Sequence, residues 1–159
     1  MDDIASLQRI LSDNHRIAIV GISANWYRPS YFAAKYLIEY GYDVVPVNPR
    51  YDEVLDRPCY PDLGSIPGKV DVVDCFRRSE EIPALAREAV DIGARVLWLQ
   101  LGVESEEGAE IARAGGLEVV SNRCMKIEYA RLFGGLNFIG VNTRVVSAKR
   151  LPPAPHRKA

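Results

Sequence analysis

At 159 residues, 48% hydrophobic and 26% charged, the chain has the size and composition of one soluble globular domain. A formal net charge of −1 removes any global attraction to nucleic acid, and no apolar run approaches the roughly 20 residues that span a bilayer. Five Lys/Arg and no acid from Asn142 onward leave about −6 on residues 1–141 by difference.

The three cysteines, Cys59, Cys75 and Cys124, form no CxxC pair and suit a reducing cytoplasm better than a disulfide framework. His15 and His156 lie far apart and no Cys/His cluster has zinc spacing, so no metal site is expected. The acidic, amphipathic start MDDIASLQRI is not a signal peptide.

Along the chain, apolar runs alternate with helical patterns. Ile4, Leu7, Gln8 and Leu11 share one face of a leading helix, followed by RIAIVG, a run suited to a strand buried on both faces. Tyr31, Ala34, Leu37 and Ile38 give residues 30–40 a helical spacing that Gly41 closes. YDVVPVNP reads as a second strand, and residues 50–69, rich in Pro, Gly and Asp, as a connection with at most a turn or two. VDVVDCF is a third strand; Ser79 is expected to cap the next helix, with Glu80 and Glu81 at its positive end and Gly93 ending it. ARVLWLQLG is a fourth strand, Ser105 opens a helix that ends at Gly115-Gly116, LEVVSN is a fifth strand, and MKIEYARLF closes the domain. Residues 142–159 form a basic, Pro-containing tail that is expected to be flexible.

Strands alternating with helices predict an α/β, Rossmann-like doubly wound sheet of about five parallel strands, with helices on both faces, in one domain spanning 1–141. Ligands of such sheets sit beyond the carboxyl ends of the strands. Gly21 ends the first strand where a missing side chain lets a phosphate approach; Ser23 and Ser30 offer hydroxyls, Arg28 a cationic fork, and the helix start free N–H groups. GISAN lacks the second glycine of a nucleophile elbow and no later histidine is suitably placed, so no serine hydrolase is expected.

At the second strand's tip stands Arg50, after Pro49, where a typical NAD site carries an acid. An arginine there suits a phosphorylated ribose, which both NADP and coenzyme A possess; the alternative is a solvated loop residue. Arg77 and Arg78 after Phe76 form either an anion site or pairs with Glu80 and Glu81. Glu80-Glu81 and Glu106-Glu107 suit helix dipoles better than acid–base catalysis. Gln100 is fit to bond a ligand amide, and Gly102 permits close approach. Trp98 and Cys75 read as core. Asn122, Arg123 and Lys126 surround Cys124, which is either inert packing or a reactive thiol, and Glu128 shares its helical face.

GISANWYRPSY, GYDVVPVNPRY, VDVVDCFRRSEEIP, VLWLQLGVESEE and GLEVVSNRCMKIEYARL occur in the order and spacing of a known family. The chain resembles the small stand-alone CoA-binding domain proteins, similar to the N-terminal CoA-binding domain of the succinyl-CoA synthetase alpha subunit, over about Ile10 to Phe133. The resemblance implies coenzyme A or an acyl-CoA at the sheet's carboxyl edge. Gly21, Ser23, Arg28 and Ser30 would hold phosphates, Pro49 and Arg50 would flank the adenosine 3′-phosphate, and Phe76 and Arg77 would line the cleft. Gln100, Leu101 and Gly102 would meet the pantetheine, with Asn122 near. The synthetase also needs a phosphorylated histidine on a following domain and a nucleotide-grasp partner, and this sequence carries neither. The expectation is therefore CoA binding without ligase activity or catalytic residues, no nucleic acid and no membrane, with a protein partner or homo-oligomer left open. The competing expectation is an NADP-dependent oxidoreductase or NADP-binding module, with Tyr51 near the site. A third makes Cys124 a redox handle that forms a mixed disulfide with CoA.

Overall fold

A computed structural model of the chain describes residues 3–133; the expected tail and the domain boundary at 141 lie outside them. The elements run α1 (Ile4–Asp13), β1 (Arg16–Val20), α2 (Pro29–Glu39), β2 (Asp43–Val47), β3 (Glu53–Val54) and β4 (Arg57–Pro58). There follow β5 (Val72–Cys75), α3 (Ile82–Asp91), β6 (Val96–Leu99), α4 (Glu106–Ala114), β7 (Glu118–Val120) and α5 (Met125–Phe133). Single 3₁₀ turns stand at Leu63–Ser65 and Ser79–Glu81.

Five parallel strands, the five expected, form one sheet in the order β2-β1-β5-β6-β7. Alternate residues of each strand enter opposite cores, which is why the strands read as continuous apolar runs. Ile17 and Ile19 of β1, with Val72, Val96 and Trp98, pack under α1, α2 and α5 through Leu7, Leu11, Ala34, Leu37, Met125 and Tyr129. Ala18 and Val20, with Val73, Cys75, Leu97 and Leu99, pack under α3 and α4 through Ile82, Ala86, Ala89, Ala109 and Ala112. Trp98 and Cys75 are core, as expected.

Three local readings are corrected. In α1 the buried residues are Leu7, Ile10 and Leu11, whereas Ile4 in the first turn is 57% exposed. The connection after β2 contains a small antiparallel hairpin, β3-β4. Its turn puts Leu55 and Asp56 at φ 53° and 60°, a left-handed pair that Asp56 suits and Leu55 does not signal. Finally, Ser79 does not cap a helix. Pro83 stands in the first turn of α3, which starts at Ile82, and the Ser79 hydroxyl instead accepts from the Glu104 amide at 3.1 Å. Ser105 does cap α4, accepting from the Gly108 amide at 3.0 Å.

The chain turns one way from β1 to β2 and the other way to β5, so the loops after β1 and β5 part at the carboxyl edge. That opening is the switch point of the fold.

Candidate functional site

Gly21 leaves β1 at φ 86°, its amide donating to the Val47 carbonyl at 2.9 Å. A Cβ there would lie 2.4 Å from the Phe76 carbonyl oxygen and 2.6 Å from Arg77 Cδ. The loops after β1 and β5 therefore touch at a point only glycine fits, and this contact forms the floor of the opening.

Asn48, buried at the end of β2, ties a third loop to it. Its amide nitrogen donates to the Ile22 carbonyl at 2.8 Å, and its side-chain oxygen accepts from the Arg50 amide at 2.9 Å. Asn48 is not among the residues expected to hold a ligand; its place just before Pro49-Arg50 at the strand's tip is the signal the sequence carries. Asn48→Ala is expected to cost about 1–3 kcal/mol of stability, because it orphans a buried carbonyl and frees the Arg50 loop; urea unfolding checks this.

A cavity of about 510 Å³ results. It is lined by Gly21, Ser23, Arg28 and Ser30 from the first loop, Asn48, Pro49, Arg50 and Tyr51 from the second, and Phe76 and Arg77 from the third. No carboxylate lines it, while three arginines do. Arg28 and Arg50 are exposed and make no ion pair among the described residues. Arg77 is bridged to Glu81 at 2.9 Å, and Arg78 reaches the same acid at 3.5 Å, so the local pairing weighed for this stretch falls to Glu81 and not to Glu80. The cavity is thus suited to an anion, which gains charge-assisted hydrogen bonds from the guanidinium groups.

The start of α2 contributes less than expected. Pro29 has no N–H, the Tyr31 amide is already bonded to the Arg28 carbonyl at 3.1 Å, and no side chain caps the helix. Ser30 is buried, and its hydroxyl accepts from the Ser23 amide at 2.9 Å, so it shapes the loop as well as facing the cavity. The Ser23 hydroxyl in turn accepts from the Asn25 amide at 3.1 Å.

A second, more apolar cavity of about 750 Å³ adjoins the first, sharing Pro29, Phe76 and Arg77. Gln100, Leu101 and Gly102 enter it from the end of β6, and Tyr27, Phe32 and Ile127, none of them among the expected site residues, complete an apolar rim. Tyr27 stands in the loop after β1, Phe32 in α2 and Ile127 in α5, and only the packing of α5 beside the other two makes a rim. Gln100 is 7% exposed, and its side-chain oxygen has no hydrogen-bond partner among the described residues. Asn122 lines neither cavity; at φ 57° its side-chain oxygen accepts from the Gly102 amide at 2.8 Å and holds that turn. Cys124 is buried against the second cavity. Glu128, expected on its helical face, is buried and pairs with Arg123 at 3.6 Å and with Arg131, so the Arg123 charge is spent there. Lys126 lines the cavity.

A family model describing a CoA binding domain matches residues 15–130, which include both cavities. The chain belongs to the CoA-binding domain family. It is 36% identical over 126 residues to the protein YneT of Bacillus subtilis (strain 168), a match covering 79% of this chain and 93% of YneT. It is 27% identical over 126 residues to "Acetate--CoA ligase [ADP-forming] II" of Archaeoglobus fulgidus, covering 76% of this chain but 19% of that ligase. A hypothetical protein from Pyrococcus horikoshii OT3 shares the fold at a TM-score of 0.80 with 41% identity, over 82% of this chain and 92% of its own. The expected resemblance and the Rossmann-like fold of this CoA-binding-family chain are both met. Among the described residues no helix is long and apolar enough to cross a membrane, and no group of three or more His, Cys, Asp or Glu could hold a metal ion.

Proposed function

We propose that this chain binds coenzyme A or an acyl-CoA across the carboxyl edge of its sheet and performs no ligation of its own. The observation that carries the reading is the cavity at the switch point, lined by three arginines and no acid and adjoining a second, more apolar cavity. Coenzyme A has that same division: three phosphates on one part, a neutral amide-linked arm on the other. In this reading Gly21, Ser23, Arg28 and Ser30 hold the pyrophosphate, Pro49 and Arg50 flank the adenosine 3′-phosphate, and Phe76 and Arg77 line the passage between the cavities. Gln100, Leu101 and Gly102 meet the pantetheine, and Asn122 acts on it indirectly, by holding the Gly102 turn. The curated ligase match spans only 19% of that ligase, which is why binding is proposed here and the ligase reaction is not.

The test is a thermal-shift panel of CoA, dephospho-CoA, NADP and NAD at fixed concentration. A ligand at about 100 times its Kd adds roughly 2.7 kcal/mol of stability. The expected pattern is a clear shift with CoA, a smaller one with dephospho-CoA and none with NAD; a shift with NADP alone would replace this reading by a nicotinamide one. Arg50→Ala is expected to weaken CoA by about 1.5–3 kcal/mol, roughly 10- to 100-fold in Kd, while leaving dephospho-CoA little changed. Equal losses for both ligands in calorimetric titrations would remove the 3′-phosphate from Arg50.

A further inference from the structure

We infer that the ligand carries an apolar acyl group, seated in the second cavity between Phe32, Leu101, Val103 and Ile127. This rests on the CoA reading above and adds to it the chemical class of the thioester. Pro29, Phe76 and Arg77 line both cavities, so the second adjoins the arginine-lined one and lies beside a ligand anchored there by its phosphates.

Gln100 lines the second cavity, and its buried side-chain oxygen has no donor among the described residues, a deficit that an N–H reaching it would relieve. The pantetheine arm brings two amide N–H groups. The rest of the lining is mostly apolar, with Arg77, Arg78 and Lys126 as its cations. Tyr27, Phe32, Leu101 and Ile127 are 61%, 46%, 53% and 39% exposed, an unusual concentration of large apolar side chains open to water around one cavity. Trp26, edge-on to Tyr27 at 5.9 Å and 70% exposed, extends the same rim. A bare thiol would leave this surface wet; a hydrocarbon chain continuing from the sulfur would cover it.

The experiment is isothermal titration of the full chain with CoA, acetyl-, butyryl-, octanoyl- and succinyl-CoA. Affinity is expected to rise with chain length, octanoyl-CoA binding at least about tenfold tighter than acetyl-CoA, since each buried methylene contributes roughly fourfold. Ile127→Asp and, independently, Phe32→Ser are expected to abolish that gain and leave the Kd for CoA unchanged; both positions are on the surface, and circular dichroism checks that each variant folds. If CoA binds and octanoyl-CoA is no tighter, or succinyl-CoA is the tightest, the apolar acyl seat is overturned while the CoA reading stands. If none of the five binds, the CoA reading falls and this inference with it.

Discussion

Replacing Asp74 by asparagine is expected to stabilise the protein at pH 8 and to leave its stability nearly unchanged at pH 4. Asp74 lies in the middle of β5, in register with Ile19 on one side and Trp98 on the other, at 0% exposure. Neither carboxyl oxygen has a hydrogen-bond partner among the described residues. Burial alone raises its pKa well above the ordinary value of 3.8, because an ionised carboxylate would lose its hydration with nothing to replace it.

The folded state therefore keeps a proton that the unfolded chain releases above about pH 4. With more protons bound in the folded state, stability is whole below the unfolded pKa and falls as pH rises toward the folded one. The loss runs at about 1.4 kcal/mol per pH unit across that window. Asparagine keeps the shape and removes the titration, so the gap between variant and wild type should open with that slope from pH 4 upward. Urea unfolding at each pH measures it. Parallel curves for the two proteins would mean that Asp74 is ionised and paired in the fold.

Gly21→Ala is expected to lose about 2–5 kcal/mol of stability and, with it, most of the ligand affinity. Two penalties add at this position. An L side chain at φ 86° is strained by roughly 1–2 kcal/mol, and overpacking costs a further 1–3 kcal/mol or so. The overpacking cannot relax cheaply, because the atom met at 2.4 Å is the Phe76 backbone carbonyl oxygen, the far side of the contact that joins the two loops. Gly93→Ala is the matched control: its φ is 74°, but nothing lies within 4 Å of the added carbon. It should cost only the backbone strain. Equal losses for the two variants in thermal unfolding would show that the loop-to-loop contact is not close in solution.

Much of the architecture was legible in the residues themselves. RIAIVG, VDVVDCF and ARVLWLQLG are too apolar for any place but a sheet covered on both faces, and the helical spacings between them force parallel pairing. That topology by itself points to the strands' carboxyl ends as the place for a ligand, so Gly21, Arg28, Arg50 and Arg77 could be named as candidates from the loops that follow strands. All four line one cavity.

What the sequence could not show depends on which loops meet. Asn48 matters because the Ile22 carbonyl and the Arg50 amide converge on it from separate segments. Ser30 and Ser23 join hydroxyl to amide, and Asn122 reaches 20 residues back to Gly102. The apolar rim of Phe32, Leu101 and Ile127 has no sequence period, since α2, the β6 loop and α5 each supply one residue. Asp74 reads in one dimension as a polar residue in a strand, and only the covering of both sheet faces makes it a buried acid. Local pattern determined the elements and the edge where the site lies, because backbone periodicity and steric limits act between near neighbours. The lining of the site, its charge and its buried deficits were decided by tertiary structure, because burial and hydrogen bonding depend on segments far apart in the chain.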